Sequence, residues 1–154
     1  MRRVLIVLAF LGFAASFPQQ PTNFVVDEAG KLSAQNKHEM IAVATELAKN
    51  GGPEVAVAVV NSISPETIET YAIKLAEYWK VGKKGKDNGV IFVIAVKERK
   101  LRIEVGYGLE GVLNDAKAGR ILDNSVVPYL KHGDWNKGIR EGFNAIVQTV
   151  KGAN

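Results

Sequence analysis

The sequence predicts an α/β domain in which a parallel strand–helix–strand unit runs into an antiparallel hairpin and is closed by helices. Three observations carry the prediction. "PEVAVAVV" (53–60) and "GVIFVIAV" (89–96) are continuous apolar runs rich in β-branched residues, the pattern of strands covered on both faces. Between them Ile68, Ala72, Leu75, Ala76 and Trp79 recur at helical spacing, which makes the pair a crossover unit, parallel and by preference right-handed. "LRIEVGY" (101–107) alternates instead, with Leu101, Ile103 and Val105 set against Arg102 and Glu104, as a half-exposed edge strand should. A chain of 154 residues that is 47% hydrophobic and 23% charged supports one such domain with a real core, not two.

The chain opens with "MRRVLIVLAFLGFAAS": two arginines, an apolar run of about a dozen residues and small residues at Ala14, Ala15 and Ser16. That is a secretory signal pattern over 1–16, too short for the roughly 20 residues that cross a bilayer. It leaves a mature domain of residues 17–154 in an extracytoplasmic setting, periplasmic or secreted. With no cysteine anywhere, lipid attachment, disulfides and thiolate metal sites are excluded. Discarding Arg2 and Arg3 lowers the formal charge from +4 to +2, which removes the case for a nucleic-acid footprint.

After an extended "FPQQPTNFVVDEAGK", Ser33 caps a first helix reaching about Asn50, with Met40, Ile41, Ala44, Leu47 and Ala48 on its apolar side and Gly51 and Gly52 stopping it. Beyond the first strand, Ser64 and Pro65 read as the N-cap and first-turn proline of the second helix, which runs to about Lys80. "KERK" (97–100) is the polar turn of the hairpin. Asn114 or Asp115 opens a third helix, with Ala118, Ile121, Leu122 and Val126 inward. A fourth follows Pro128 and carries Ile139, Phe143, Ile146 and Val147. His38 falls on the polar side of the first helix and His132 in a loop; neither has a partner at metal or catalytic spacing, so both read as surface residues.

"EVGYGLEGVLND" (104–115) contains Gly106, Gly108 and Gly111 in the Gly-x-Gly-x-x-Gly spacing of a dinucleotide loop. The flanks reject that reading. The glycines follow a hairpin strand, and no later strand brings an acidic residue to a ribose hydroxyl. Positive φ, or close backbone packing at a tight bend that leaves Tyr107 held on a loop, is sufficient for them. The hairpin also folds "GYGLEG" (106–111) back beside "KDNG" (86–89). One rim then gathers Asp87, Asn88, Glu104, Tyr107, Glu110 and Asp115, with Lys83, Lys84 and Lys86 close by. Oxygen donors of this kind suit Ca²⁺ or Mg²⁺. Each residue also has a plainer use: Asp87, Asn88 and Gly89 as a turn, Asp115 as a helix cap, the glutamates and lysines as solvated charge. No serine triad or phosphate loop is present, so covalent catalysis lacks a nucleophile.

"VVDEAGKLS", "YAIKLAEYWKVGKKGKDNGVIFVIAVKERKLRIEVGYGLEGVLND" and "GDWNKGIREG" together resemble the TPM-domain family over about residues 24–150. The run through Gly82, Asp87, Asn88, Gly89, Glu104, Gly106, Tyr107, Gly108, Glu110 and Asp115 carries most of that likeness. The resemblance implies a three-layer α/β/α sandwich of Rossmann-like appearance and an extracytoplasmic location. Family members include exported or membrane-anchored bacterial proteins and a plant thylakoid-lumen protein. Plant relatives are associated with acid phosphatase activity and photosystem repair, and some relatives with divalent cations. The chain ends at "VKGAN", without the transmembrane helix and glycine-rich tail of many bacterial relatives.

Carried over position by position, the resemblance makes Asp27, Asp87, Glu110 and Asp115 candidate ligands of a divalent cation, Ca²⁺ before Mg²⁺. Asn88, Glu104, Gly106, Tyr107 and Gly108 become candidate contacts to a substrate or partner. Two functions are expected from this set. One is an interaction module for an envelope or membrane protein or peptide. The other is a metal-assisted phosphomonoesterase in which Asp87 and Asp115 hold the ion, Asn88 and Tyr107 position substrate and the lysines attract phosphate.

Overall fold

The computed structural model describes residues 16–153. The signal-like run therefore lies outside the described residues apart from Ser16. Four strands form one sheet in the order β1 (Val25–Asp27), β2 (Glu54–Val60), β3 (Gly89–Ala95), β4 (Lys100–Val105). The first three are parallel and β4 returns antiparallel against β3, with Val90 opposite Val105 and Ala95 opposite Lys100. The expected α/β sandwich is present, and the extended segment before Asp27 contributes one strand more, β1, paired with β2 from Val25↔Val57 to Asp27↔Val59.

Alternation along β2 and β3 divides the core into two layers. Val55, Val57, Val59, Val90, Phe92 and Ile94 face α1 (Ala34–Leu47) and α5 (Trp135–Val150), where Met40, Ala44, Ile139, Phe143 and Ile146 are buried. Ala56, Ala58, Val60, Ile91, Val93 and Ala95 face α2 (Ile68–Trp79), which buries Tyr71, Ala72, Leu75 and Trp79. Both crossovers step the same way across the sheet, yet α1 covers one face and α2 the other. They are therefore of opposite hand, and one of them departs from the right-handed preference.

The last residue of the signal-like run and those just after it lie along α2. Tyr71 donates its hydroxyl to the Ser16 carbonyl at 3.2 Å, Trp79 Nε1 donates to Pro18 at 3.0 Å, and Gln20 donates back to the Trp79 carbonyl at 2.6 Å. Burial pushes the Tyr71 phenol far above its ordinary range, with the charges of Glu28 and Glu98 acting in the same direction. Glu98 anchors the hairpin turn: it accepts Ser62 Oγ at 2.5 Å and the Ile63 N–H at 2.7 Å. Burial raises its pKa, but these donors together outweigh it and hold the carboxyl below the usual range.

Four boundaries differ from expectation. α1 stops at Leu47, and a 3₁₀ turn, Lys49–Gly51, with Asn50 at φ 57°, replaces its last turn. α2 begins at Ile68, because buried Ile63 first turns the chain into the core and the Glu66 N–H closes back on the Ile63 carbonyl at 2.8 Å. Thr67, not Ser64, is its cap and accepts the Thr70 N–H at 3.2 Å. Thr67→Ala is therefore expected to cost about 1 kcal/mol in urea denaturation, and Ser64→Ala much less.

The third helical run does not end before Pro128. α3 (Asp115–Ile121) passes through a π turn, Leu122–Val126, into α4 (Val127–Leu130), whose first turn holds Pro128. The wide turn absorbs the proline, which has no N–H to donate and would crowd a regular helix. α5 then starts afresh at Trp135, capped by Asp134, which accepts the Lys137 N–H at 3.1 Å. His38 and His132 are both exposed, as expected.

Candidate functional site: an acidic rim at the start of the third strand

The site is built on the loop that enters β3. Glu54, at the head of β2, accepts the Gly82 N–H at 2.8 Å and pairs with Lys83. Buried Asn88 accepts the Lys83 N–H at 2.8 Å and donates to the Gly51 carbonyl at 3.2 Å. These bonds fix residues 82–88, and Asp87 emerges at φ 48°, a left-handed conformation that aspartate tolerates better than most residues.

From there three consecutive amides of the returning chain are pinned. Gly106 donates to the Gly89 carbonyl at 2.8 Å, Tyr107 to Asp87 Oδ2 at 2.9 Å, and Gly108 to the Asp87 carbonyl at 2.9 Å. The glycines are explained by this closeness. A Cβ on Gly106 would run into the Asp87 carbonyl oxygen and lie 2.9 Å from its Oδ1, and one on Gly108 would strike the Lys86 carbonyl oxygen. Gly106 itself sits at φ −68°, so close packing, not positive φ, is what requires the missing side chain.

Beyond the pinned amides a 3₁₀ turn, Tyr107–Leu109, buries Leu109 and leaves Tyr107 82% exposed. Two hollows flank it. One, of about 370 Å³, is lined by Asp87, Glu104, Glu110 and Tyr107 with Ile73 and Val81 from the α2 side. The other, of about 390 Å³, shares Glu104 and Glu110 and adds Asp115, Asn114 and Arg102. Glu104 and Glu110 form the ridge between them. Arg102 binds Glu104 Oε2 through both Nε and Nη2 at 3.1 Å. Asn114 caps α3 by accepting the Lys117 N–H at 2.9 Å, and Asp115 follows it, exposed, in the first turn.

A known family shares most of the chain, this loop pair included. The profile described as the TPM domain matches residues 25–149. The chain belongs to the TPM-domain family. Among solved structures, the N-terminal domain of a P. gingivalis protein is 31% identical, with a TM-score of 0.76, covering 86% of this chain and 87% of that one. A protein of the psychrophilic bacterium Bizionia argentinensis is 19% identical, with a TM-score of 0.62 over 78% of this chain and 84% of its own. The N-terminal domain of a Corynebacterium glutamicum protein is 18% identical, with a TM-score of 0.64 over 92% and 89%. At those last two identities the likeness is one of fold. No curated protein matches the chain.

The TPM domain does not assemble every candidate residue at the rim. Asp87, Glu104, Gly106, Tyr107, Gly108, Glu110 and Asp115 converge there. Asp27 does not. It ends β1, beside Val59 at the opposite edge and opposite end of the sheet, and its carboxylate accepts the Lys31 and Leu32 N–H groups at 3.0 and 2.8 Å. Asn88 lies beneath the rim with both ends of its amide committed to backbone. Two of the three lysines are also committed: Lys83 to Glu54, and Lys86 to the Gly51 carbonyl at 3.1 Å.

One residue of the site escapes a reading by motif. Ile73 is 45% exposed and walls the hollow beneath Tyr107. Its signal in the sequence is that it falls off the 68–72–75–79 stripe, an isoleucine on the polar side of an amphipathic helix.

Proposed function

We propose that this TPM domain is an extracytoplasmic binding module whose acidic rim engages a segment of an envelope or membrane protein, one that presents a basic side chain next to an apolar one. The observation that carries the proposal is Tyr107. An 82% exposed aromatic on a fixed backbone, beside exposed Ile73 and over the Asp87, Glu104 and Glu110 carboxylates, is an anchor with matching counter-charge. The extracytoplasmic setting rests on the signal pattern of residues 1–16.

A divalent cation enters this reading as a shared ion. Among the described residues no three Asp, Glu or His side chains are grouped so as to hold a metal. Asp87 spends one oxygen on the Tyr107 N–H and Glu104 one on Arg102. Ca²⁺ takes six to eight oxygen ligands. The rim by itself falls short of that number, so oxygens from the partner or from water would complete the shell, with Glu110 and Asp115, which line one hollow, as the protein's share.

Phosphomonoester hydrolysis, the activity associated with plant relatives, has less support. The Tyr107 hollow is lined by three carboxylates and no basic side chain, and Arg102 in its neighbour is already paired. A phosphate group there meets like charge.

The test is an amide NMR titration of the protein with a short peptide carrying alternating arginine and leucine, and separately with Ca²⁺. Saturable shifts confined to Ile73, Asp87, Glu104 and Tyr107 are expected with the peptide, lost in Glu104→Lys/Glu110→Lys. Ca²⁺ is expected to act at about 10⁻⁴–10⁻³ M on Glu110 and Asp115. Peptide binding that survives the double reversal would sink the proposal. So would cation-dependent release of phosphate from p-nitrophenyl phosphate that Asp87→Ala abolishes, which would establish the enzyme instead.

A further inference from the structure

A hollow of about 470 Å³, larger than either of the two at the acidic rim, lies away from that rim, at the hairpin turn where β3 ends and β4 begins. Its floor is apolar, with Leu101, Leu130 and Trp135 among its walls, and its charged lining residues are Arg99, Lys100 and Lys131. No acidic residue lines it. The acids adjacent to it in sequence are held elsewhere: Glu98 accepts from Ser62 and Ile63, and Asp134 caps α5; Glu66, Glu69 and Glu98 line a separate hollow that Lys100 also borders. Among the described residues, none of the three cations forms an ion pair, and all three are exposed.

Arg99 adds an independent observation. It occupies φ 55°, at the last position of the hairpin turn. Glycine or asparagine serves such a position with less strain, so an arginine there costs the backbone something. Strain of this kind is a pointer to function.

We infer that this groove is a second binding site, for a small amphiphile with one anionic head, carboxylate or phosphate, on an apolar body. The volume falls in the range of roughly 300–1,000 Å³ typical of small-molecule sites, and the lining follows their pattern of an apolar wall with a few convergent polar groups. Arg99 supplies the forked donor that suits a carboxylate or phosphate, and Lys100 and Lys131 supply unpaired positive charge. Leu101, Leu130 and the Trp135 ring, over which Lys31 Nζ sits 5.3 Å from the centroid, provide the apolar surface for the body of the ligand.

The experiment titrates the protein with monomeric decanoate and, separately, decyl phosphate, following the Trp135 indole and the amides of Arg99, Lys100 and Lys131 by NMR. One-to-one, saturable shifts at these groups with either ligand are expected, with decyltrimethylammonium giving none. Lys131→Ala is expected to weaken binding about tenfold, the loss of one charge-assisted contact. Arg99→Gly is expected to do the same while leaving thermal stability equal or higher, because glycine suits the left-handed position; a loss of binding there is not a loss of fold. The site is overturned by equal shifts with the cationic amphiphile, by binding indifferent to Arg99→Gly and Lys131→Ala, or by shifts that arise only on vesicles of anionic phospholipid. Shifts that follow protein concentration alone would assign the groove to a second copy of the chain and equally overturn it.

Discussion

Replacing Phe143 with alanine is expected to destabilise the domain by about 3–5 kcal/mol, a large share of the roughly 5–15 kcal/mol that holds a domain of this size folded. Phe143 is fully buried where α5 meets the sheet. The next residue toward the N-terminus shows how tight that meeting is: a Cβ on Gly142 would come within 2.5 Å of Val126 Cγ2 and 2.9 Å of the Phe92 ring. Held this closely, the helix has little freedom to settle into the space a benzyl group leaves, so the cavity term adds to the lost transfer energy. A urea midpoint displaced with unchanged slope is the expected result. A loss under about 1 kcal/mol would show that α5 collapses onto β3 after all.

Gly106→Ala is expected to cost about 2–3 kcal/mol and to unfasten the rim. The added methyl collides with the Asp87 carbonyl and crowds Oδ1, so the Tyr107 N–H loses its acceptor as the loops part. Gly111→Ala is the control, since nothing lies within 4 Å of its Cβ position. Chemical denaturation measures the cost. Amide shifts at Asp87, Tyr107 and Gly108, against unshifted Val57 and Phe92, would place the damage. Equal stability for the two variants would contradict the close packing described.

The hairpin was legible because its cause is local: strict alternation in β4, a short polar turn and a continuous apolar β3 leave one way to fold back. That geometry alone puts Gly106 beside Asp87. What failed to show depends on partners far along the chain. Asn88 reads as a polar neighbour of the site until Gly51, 37 residues away, turns out to hold its amide. Asp27 carries the same chemistry as Asp87, and only strand order separates the two. Thr67 and Ser64 are both fair caps, and the choice fell to burial of Ile63. The basic groove was hidden for a similar reason. Arg99 and Lys100 look like an ordinary hairpin turn, and Lys131 joins them only because the π turn carries α4 past Pro128.

The three pinned amides from Gly106 to Gly108 bear on the thermodynamics of association. Ordering a backbone residue costs about 1–2 kcal/mol in conformational entropy, and loops that capture partners commonly incur that cost on binding. Here the main chain around Tyr107 is already immobilised by Asp87 and Gly89, so the cost belongs to folding. Only the two side-chain torsions of an exposed ring remain to be frozen. A flexible loop with the same residues would bind more weakly, and the difference would be entropic.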